Sequence, residues 1–319
     1  MWLVKLTTFL QINYKGKYYS MEGWHQTHPS PQRTPVIFQA GASKAGIAFG
    51  GKHAEGTYLF IPFYCQTPLT NSSYICGLAN NHLLTPTPSA IFCAHSTIAA
   101  TKVYTTSVRA AATLHGRDAS TIKFFLGAMI FVAPTLAEAR AKFARAQALC
   151  STQGGLARFS DFTNTDMSVY PASRPFRFEE GAGENAIHGA IEGMKTVLAS
   201  RSESSGGEEE EITPEDVGEM LALGGMGPRP IGTPEMVADE LIKWAEEGDV
   251  QGFNLASVLL PGSWEDVVDL LVPELQRRGV YWEDYPVVGG SLRENMDQRP
   301  GGRLLDETHP GSSKFRMSG

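Results

Sequence analysis

The strongest constraint on the fold is the stretch PVIFQAGASKAG, Pro35 to Gly46. Val36, Ile37 and Phe38 form a short β-branched and aromatic run, suited to a parallel strand buried on both faces. Gln39, Ala40, Gly41 and Ala42 are small or polar and suit a tight turn. Ser43 is then a good N-cap for a helix through Ala45, Ile47 and Ala48. The first-turn N–H groups of such a helix lack intrahelical partners, and the helix dipole is positive there. Strand, glycine-bearing turn and helix start therefore make an anion site that suits a phosphate. Many βα turns carry Gly and Ser without any ligand, so on the local pattern alone an unliganded turn is the commoner outcome.

Composition narrows the partners. With 319 residues, 42% of them hydrophobic and 19% charged, the chain can build a large core. A net charge of −7 argues against nucleic acid and anionic membranes, which require clustered Lys and Arg. No apolar run approaches the roughly 20 residues that span a bilayer. The opening MWLVKLTTFLQ is interrupted by Lys5 and two threonines and is followed by no small-residue cleavage site, unlike a secretory leader. Cys65, Cys76, Cys93 and Cys150 are too few and too scattered for a disulfide scaffold, so a cytoplasmic location is expected.

Along the chain, residues 15–31 read as a β-rich connector with a turn at Lys15-Gly16-Lys17. His25 and His28 lack a third metal ligand at useful spacing. A short strand is predicted from Gly56 to Phe60. The segment 61–99 then lacks any helical or alternating period and contains no Asp, Glu, Lys or Arg. It reads as an insertion, of recent origin or from translated intron sequence. Cys65, Cys76, Cys93, His82 and His95 could be drawn as a metal site, but no paired C-x-x-C supports it, and no metal is expected. Lys102–Leu114 is predicted helical with Val103, Ser107, Ala110, Ala111 and Leu114 as its stripe, stopped by His115-Gly116. Ile122–Val132 suits a buried strand. Thr135 and Glu138 form a capping box for a helix whose stripe is Leu136, Ala139, Phe143, Ala146 and Cys150, which makes Cys150 a core residue rather than a nucleophile.

A further helix is expected near Ile187–Leu198, and residues 201–211, RSESSGGEEEE, read as an acidic mobile linker. Thr233 and Pro234 start a helix with Val237, Leu241, Trp244 and Ala245 on its apolar face, and Gly248 ends it. A strand follows over Gly252–Leu260; Phe253 and Asn254 lie on it, with packing the expected role and a place in the pocket the alternative. Ser263 and Asp266 open a last helix, with Val267, Leu270, Leu271 and Leu275 facing the sheet and a kink expected at Pro273. Residues 297–319 read as a disordered tail.

QTHPSPQRTPVIFQAGASKAG, GMGPRPIGTPEMVADELIKW, DVQGFNLASVLLPGSWEDVVDLLVPELQRRGVYWEDY and SLRENM together resemble the flavin-dependent monooxygenases of the bacterial-luciferase superfamily. The nitrilotriacetate and dibenzothiophene-sulfone monooxygenase branch matches best, over most of Ile12–Glu55 and Lys102–Met296. The resemblance implies an α/β fold, a TIM (β/α)8 barrel of which strands five to eight are present and the first four are missing, with excursions between the last units. It implies that the chain is one incomplete domain, truncated at its N-terminus.

It also implies that reduced FMN is the co-substrate, its phosphate held by Gln39, Gly41, Ala42 and Ser43. A separate reductase supplies FMNH2, and O2 oxygenates a small organic substrate; self-association into a homo-oligomer is compatible with this. Catalytic residues are not identified. A barrel needs about 250 residues for eight units, and its site is assembled from the loops after several strands. The expectation is weak flavin binding and low activity for this chain, the alternative being a catalytically dead half-barrel remnant or a gene-model artefact.

Overall fold

The computed structural model describes residues 11–24, 30–32, 34–37, 44–54, 56–57, 89–93, 95–163, 166–174, 213–224, 227–257 and 259–312. The chain opens with an antiparallel hairpin, β1 (Gln11–Lys15) and β2 (Ser20–Trp24), whose turn closes with Gly16 N–H donating to Tyr19 O at 2.9 Å. The predicted turn at Lys15-Gly16-Lys17 falls there. α1 spans Lys44–His53, directly after Ser43, and β3 is Gly56–Thr57.

The central element is a four-stranded parallel sheet of β3, β4 (Ser89–Cys93), β5 (Ile122–Met129) and β8 (Gly252–Ala256), in that order. Parallel strands need long crossovers, and α2 (Ile98–Leu114) connects β4 to β5. The segment read as an aperiodic insertion thus contributes β4, because Ser89–Cys93 pairs with Ile122–Leu126. Five residues are too short a run for periodicity to reveal. By contrast, Pro35–Ile37 form no ladder. Val36 is buried, and Phe38, the last residue of the predicted run, lies outside the described residues.

β5 is shorter than predicted. Met129 and Phe131 donate their N–H groups to Pro228 O and Pro230 O, so the chain leaves β8 and forms β6 (Phe131–Val132) against β7 (Ile231–Gly232). α3 (Leu136–Ala148) begins with the predicted capping box of Thr135 and Glu138. It is followed by α4 (Thr152–Thr163), α5 (Pro214–Ala222) and α6 (Pro234–Gly248).

Beyond β8, α7 (Gly262–Asp266) runs into a π-helical turn, Val267–Leu271, and then α8 (Val272–Arg277). Pro273 has no N–H to donate to the preceding turn, and the widened turn lies directly before α8. α9 spans Leu292–Asp297.

The core lies between the sheet and α2, α6 and the π turn. It contains Tyr104, Val108, Ile122, Phe124, Leu126, Val237, Leu241, Trp244, Phe253, Val267 and Leu271. Phe253 is therefore a packing residue, as expected. The stripe predicted for α2 is displaced: Val103 and Leu114 are exposed, whereas Thr101, Tyr104, Thr105, Val108 and Ala112 are buried. The threonines tolerate burial because Thr101 donates to Thr97 O and Thr105 to Lys102 O and Gly248 O. Arg109 ties α2 to the left-handed Asp249 after α6 by a bidentate pair at 2.7 and 3.0 Å.

Of residues 297–319, read from sequence as a tail, 297–312 are described and 313–319 lie outside the described residues. Leu305, His309 and Ser312 are buried, and the segment packs on the N-terminal part of the chain. The helix expected near Ile187–Leu198 and the linker 201–211 lie outside the described residues.

Candidate functional site

β4, β5 and β8 run in parallel, so their C-terminal ends share one side of the sheet, the side on which α/β folds gather their ligand sites. The predicted anion turn immediately precedes α1 in the chain. Gln39, Gly41, Ala42 and Ser43 themselves lie outside the described residues, but both flanks are described. Ahead of the turn, Thr34 and Val36 are buried. After it, α1 runs for ten residues and carries no acidic side chain in its first turn, which starts with Lys44. The positive end of the dipole is thus not opposed by a carboxylate, which fits a phosphate there.

α1 is seated closely. A Cβ on Gly51 would lie 2.8 Å from Ala111 Cβ and 2.9 Å from Ala112 N, so the absent side chain is what lets α1 approach α2. Arg117, buried, donates to Gly51 O and Ala54 O at 3.0 Å each, covering carbonyls that the helix end leaves unpaired.

Two segments just past the strand ends hold buried polar atoms without hydrogen-bond partners: His95 Nε2 and Ser96 Oγ after β4, and Ser257 Oγ after β8. The His95 ring lies 5.1 Å from that of Tyr104, and burial lowers its pKa to about 4, so the imidazole is neutral at pH 7. A neutral imidazole and two hydroxyls both donate and accept, which suits the polar edge of a flavin or of a small substrate. Sequence reasoning missed this set. Serine after an apolar run is too common to signal a site, and His95 drew attention only as a metal ligand. Among the described residues no three His, Cys, Asp or Glu are placed to hold a metal ion. His25, His28, Cys65, Cys76 and His82 lie outside them.

Cys150 is half-buried, and its thiol donates to Ala146 O at 3.2 Å. Burial pushes its pKa up, partly offset by Arg229, which leaves a thiol rather than a nucleophilic thiolate. No helix among the described residues is long and apolar enough to cross a membrane.

No family model matches the chain. It is 33% identical over 299 residues to the dimethyl-sulfide monooxygenase of Hyphomicrobium sulfonivorans, covering 94% of this chain and 52% of that protein. It is 30% identical over 297 residues to the long-chain alkane monooxygenase of Geobacillus thermodenitrificans, covering 93% and 52%. The chain spans about half the length of the curated relatives it matches. Among solved structures, DmoA from Hyphomicrobium sulfonivorans superposes with a TM-score of 0.69 at 31% identity, covering 95% of this chain and 54% of that one. Riboflavin lyase, solved with modified FMN and riboflavin, superposes with a TM-score of 0.70 at 28% identity, covering 97% and 57%.

Proposed function

We infer that this chain, a homologue of the luciferase-like FMN-dependent monooxygenases, forms part of an enzyme that uses reduced FMN and O2 to oxygenate a small organic substrate. In this reading the runs Val36–Phe38, Gly56–Phe60, Ile122–Val132 and Gly252–Leu260 supply strands five to eight of a (β/α)8 barrel. A separate flavin reductase in the cytoplasm supplies the FMNH2.

The observation that carries the reading is α1. A ten-residue helix begins at Lys44, immediately after QAGAS, with no carboxylate in its first turn. Ser43 offers a hydroxyl and an N–H to the phosphate, and the next N–H groups of α1 point the same way. Gly41 and Ala42 keep that approach free of side chains, and Gln39 borders the turn. Bound reduced FMN would supply the reaction with O2. His95, uncharged, would give or take a hydrogen bond at the polar edge of flavin or substrate without adding charge, and the buried side chains of β5 and the start of β8 would exclude water.

The test is a fluorescence titration of the purified chain with FMN and with riboflavin, which lacks the phosphate. Ser43→Ala removes one hydrogen bond to a charged group, a contribution of about 1.5 kcal/mol, so FMN binding weakens roughly tenfold. Riboflavin binding stays unchanged. Equal weakening for both ligands refutes the phosphate role.

A further inference from the structure

We propose that Arg293 and His309 are positioning residues that hold the two flanks of the phosphate turn from the C-terminal segment. The proposal rests on the reading of that turn given above.

Arg293, on α9, is 1% exposed. Its guanidinium donates to backbone carbonyls ahead of the turn. Nη1 donates to Gln32 O at 3.1 Å and Arg303 O at 2.6 Å. Nη2 donates to Thr34 O at 3.1 Å, Thr34 Oγ1 at 3.2 Å and Pro35 O at 3.2 Å. These acceptors lead directly into Val36 and the turn. They form no ladder there, so the fork of Arg293 does what strand pairing would do in a sheet.

His309 acts on the other flank. Gly311 N–H donates to Nδ1 at 3.0 Å, which places the ring proton on Nε2. Nε2–H therefore donates to His53 O at 3.0 Å, at the C-terminal end of α1. With Arg117 on Gly51 O and Ala54 O, three carbonyls at that end are held by side chains from elsewhere in the chain.

The C-terminal segment is itself rigidly built. Glu294 accepts from Ser291 N–H and Oγ–H and from Gly301 N–H, at 2.8 to 2.9 Å, and pairs with Arg303. Asn295 Oδ1 accepts from Val287 N–H. In Ser-Leu-Arg-Glu-Asn, one residue reaches across to the turn and the next two fix the platform it reaches from. Two grips more than 200 residues distant in sequence thus set the spacing between the chain ahead of the turn and the helix after it.

The experiment uses the full chain with Arg293→Lys, which keeps the charge but loses the planar fork, and with His309→Ala as an independent variant. Two quantities are measured. One is amide hydrogen exchange of residues 34–37 and 44–54 without flavin. The other is the ratio of FMN to riboflavin affinity. The expected result is faster exchange, ahead of the turn for Arg293→Lys and in α1 for His309→Ala, and a roughly tenfold loss of FMN affinity with riboflavin affinity unchanged. Unchanged exchange in both variants overturns the proposal. So does equal loss of FMN and riboflavin binding, the signature of general destabilisation. A parent chain that binds FMN no better than riboflavin overturns the phosphate reading itself, which the variants alone would not reveal. A parent that prefers FMN, with variants of undiminished preference, overturns the positioning role alone.

Discussion

His95 offers a quantitative test of the buried polar groups past the strand ends. Its Nε2 is closed to water without a partner, its ring faces Tyr104, and burial lowers its pKa from 6.5 to about 4. Between those values the unfolded chain carries the imidazole proton and the folded chain does not. The unfolded state therefore binds more protons, and stability rises with pH over this window. The contribution is complete above about pH 6.5 and is lost as pH falls through about 4. At about 1.4 kcal/mol per pH unit, the loss amounts to about 3 kcal/mol.

His95→Phe keeps a ring against Tyr104 but binds no proton. Urea unfolding of parent and variant at pH 7, 6, 5 and 4 isolates the effect, because carboxylate titration is common to both and cancels in the difference. The variant should gain about 3 kcal/mol on the parent between pH 7 and pH 4. At pH 7 it should be at least as stable, since an unpaired polar atom has been removed. Parallel stability curves across the range would mean that His95 is solvated, and the argument for a neutral imidazole at the strand ends would fall.

Other expectations follow from the packing around α1 and α9. Gly51→Ala should destabilise by about 1–3 kcal/mol through overlap with Ala111 and Ala112, reversing the gain of about 1 kcal/mol that alanine brings to an ordinary helix site. Thermal melts decide it, and a raised Tm would show that α1 does not sit on α2 as described. Glu294 has its carboxyl held at about 2, chiefly by the Ser291 N–H, with Gly301 N–H, the Ser291 hydroxyl and Arg303 adding to it. Its contribution is present above about pH 4.5 and lost as pH falls towards 2, so Glu294→Gln should flatten the acid limb of a near-UV circular dichroism titration there. An acid limb identical to the parent's would count against that network.

Local signals were read well where the physics is local. The Thr135–Glu138 capping box, Thr233 with Pro234 at the start of α6, and the apolar face of Val237, Leu241 and Trp244 need only neighbouring residues to be recognised. The α2 stripe departs from the sequence pattern because buried threonines look polar in sequence. Only the carbonyls of Thr97, Lys102 and Gly248 make their burial tolerable, and Gly248 is 143 residues away from Thr105.

Residues 297–312 carry charge and glycine that suggest disorder, yet Leu305, His309 and Ser312 are buried and His309 Nε2 meets His53 O. β4 was hidden for a related reason. A five-residue strand has no period of its own and exists because β5 and β3 flank it. Residues within one helical turn of each other determined the caps and the apolar face of α6. The tertiary structure decided the partner of each strand, the burial of His95 and the grip of Arg293 and His309 on α1 and its approach. Those depend on hydrogen bonds and desolvation between segments brought together only by folding.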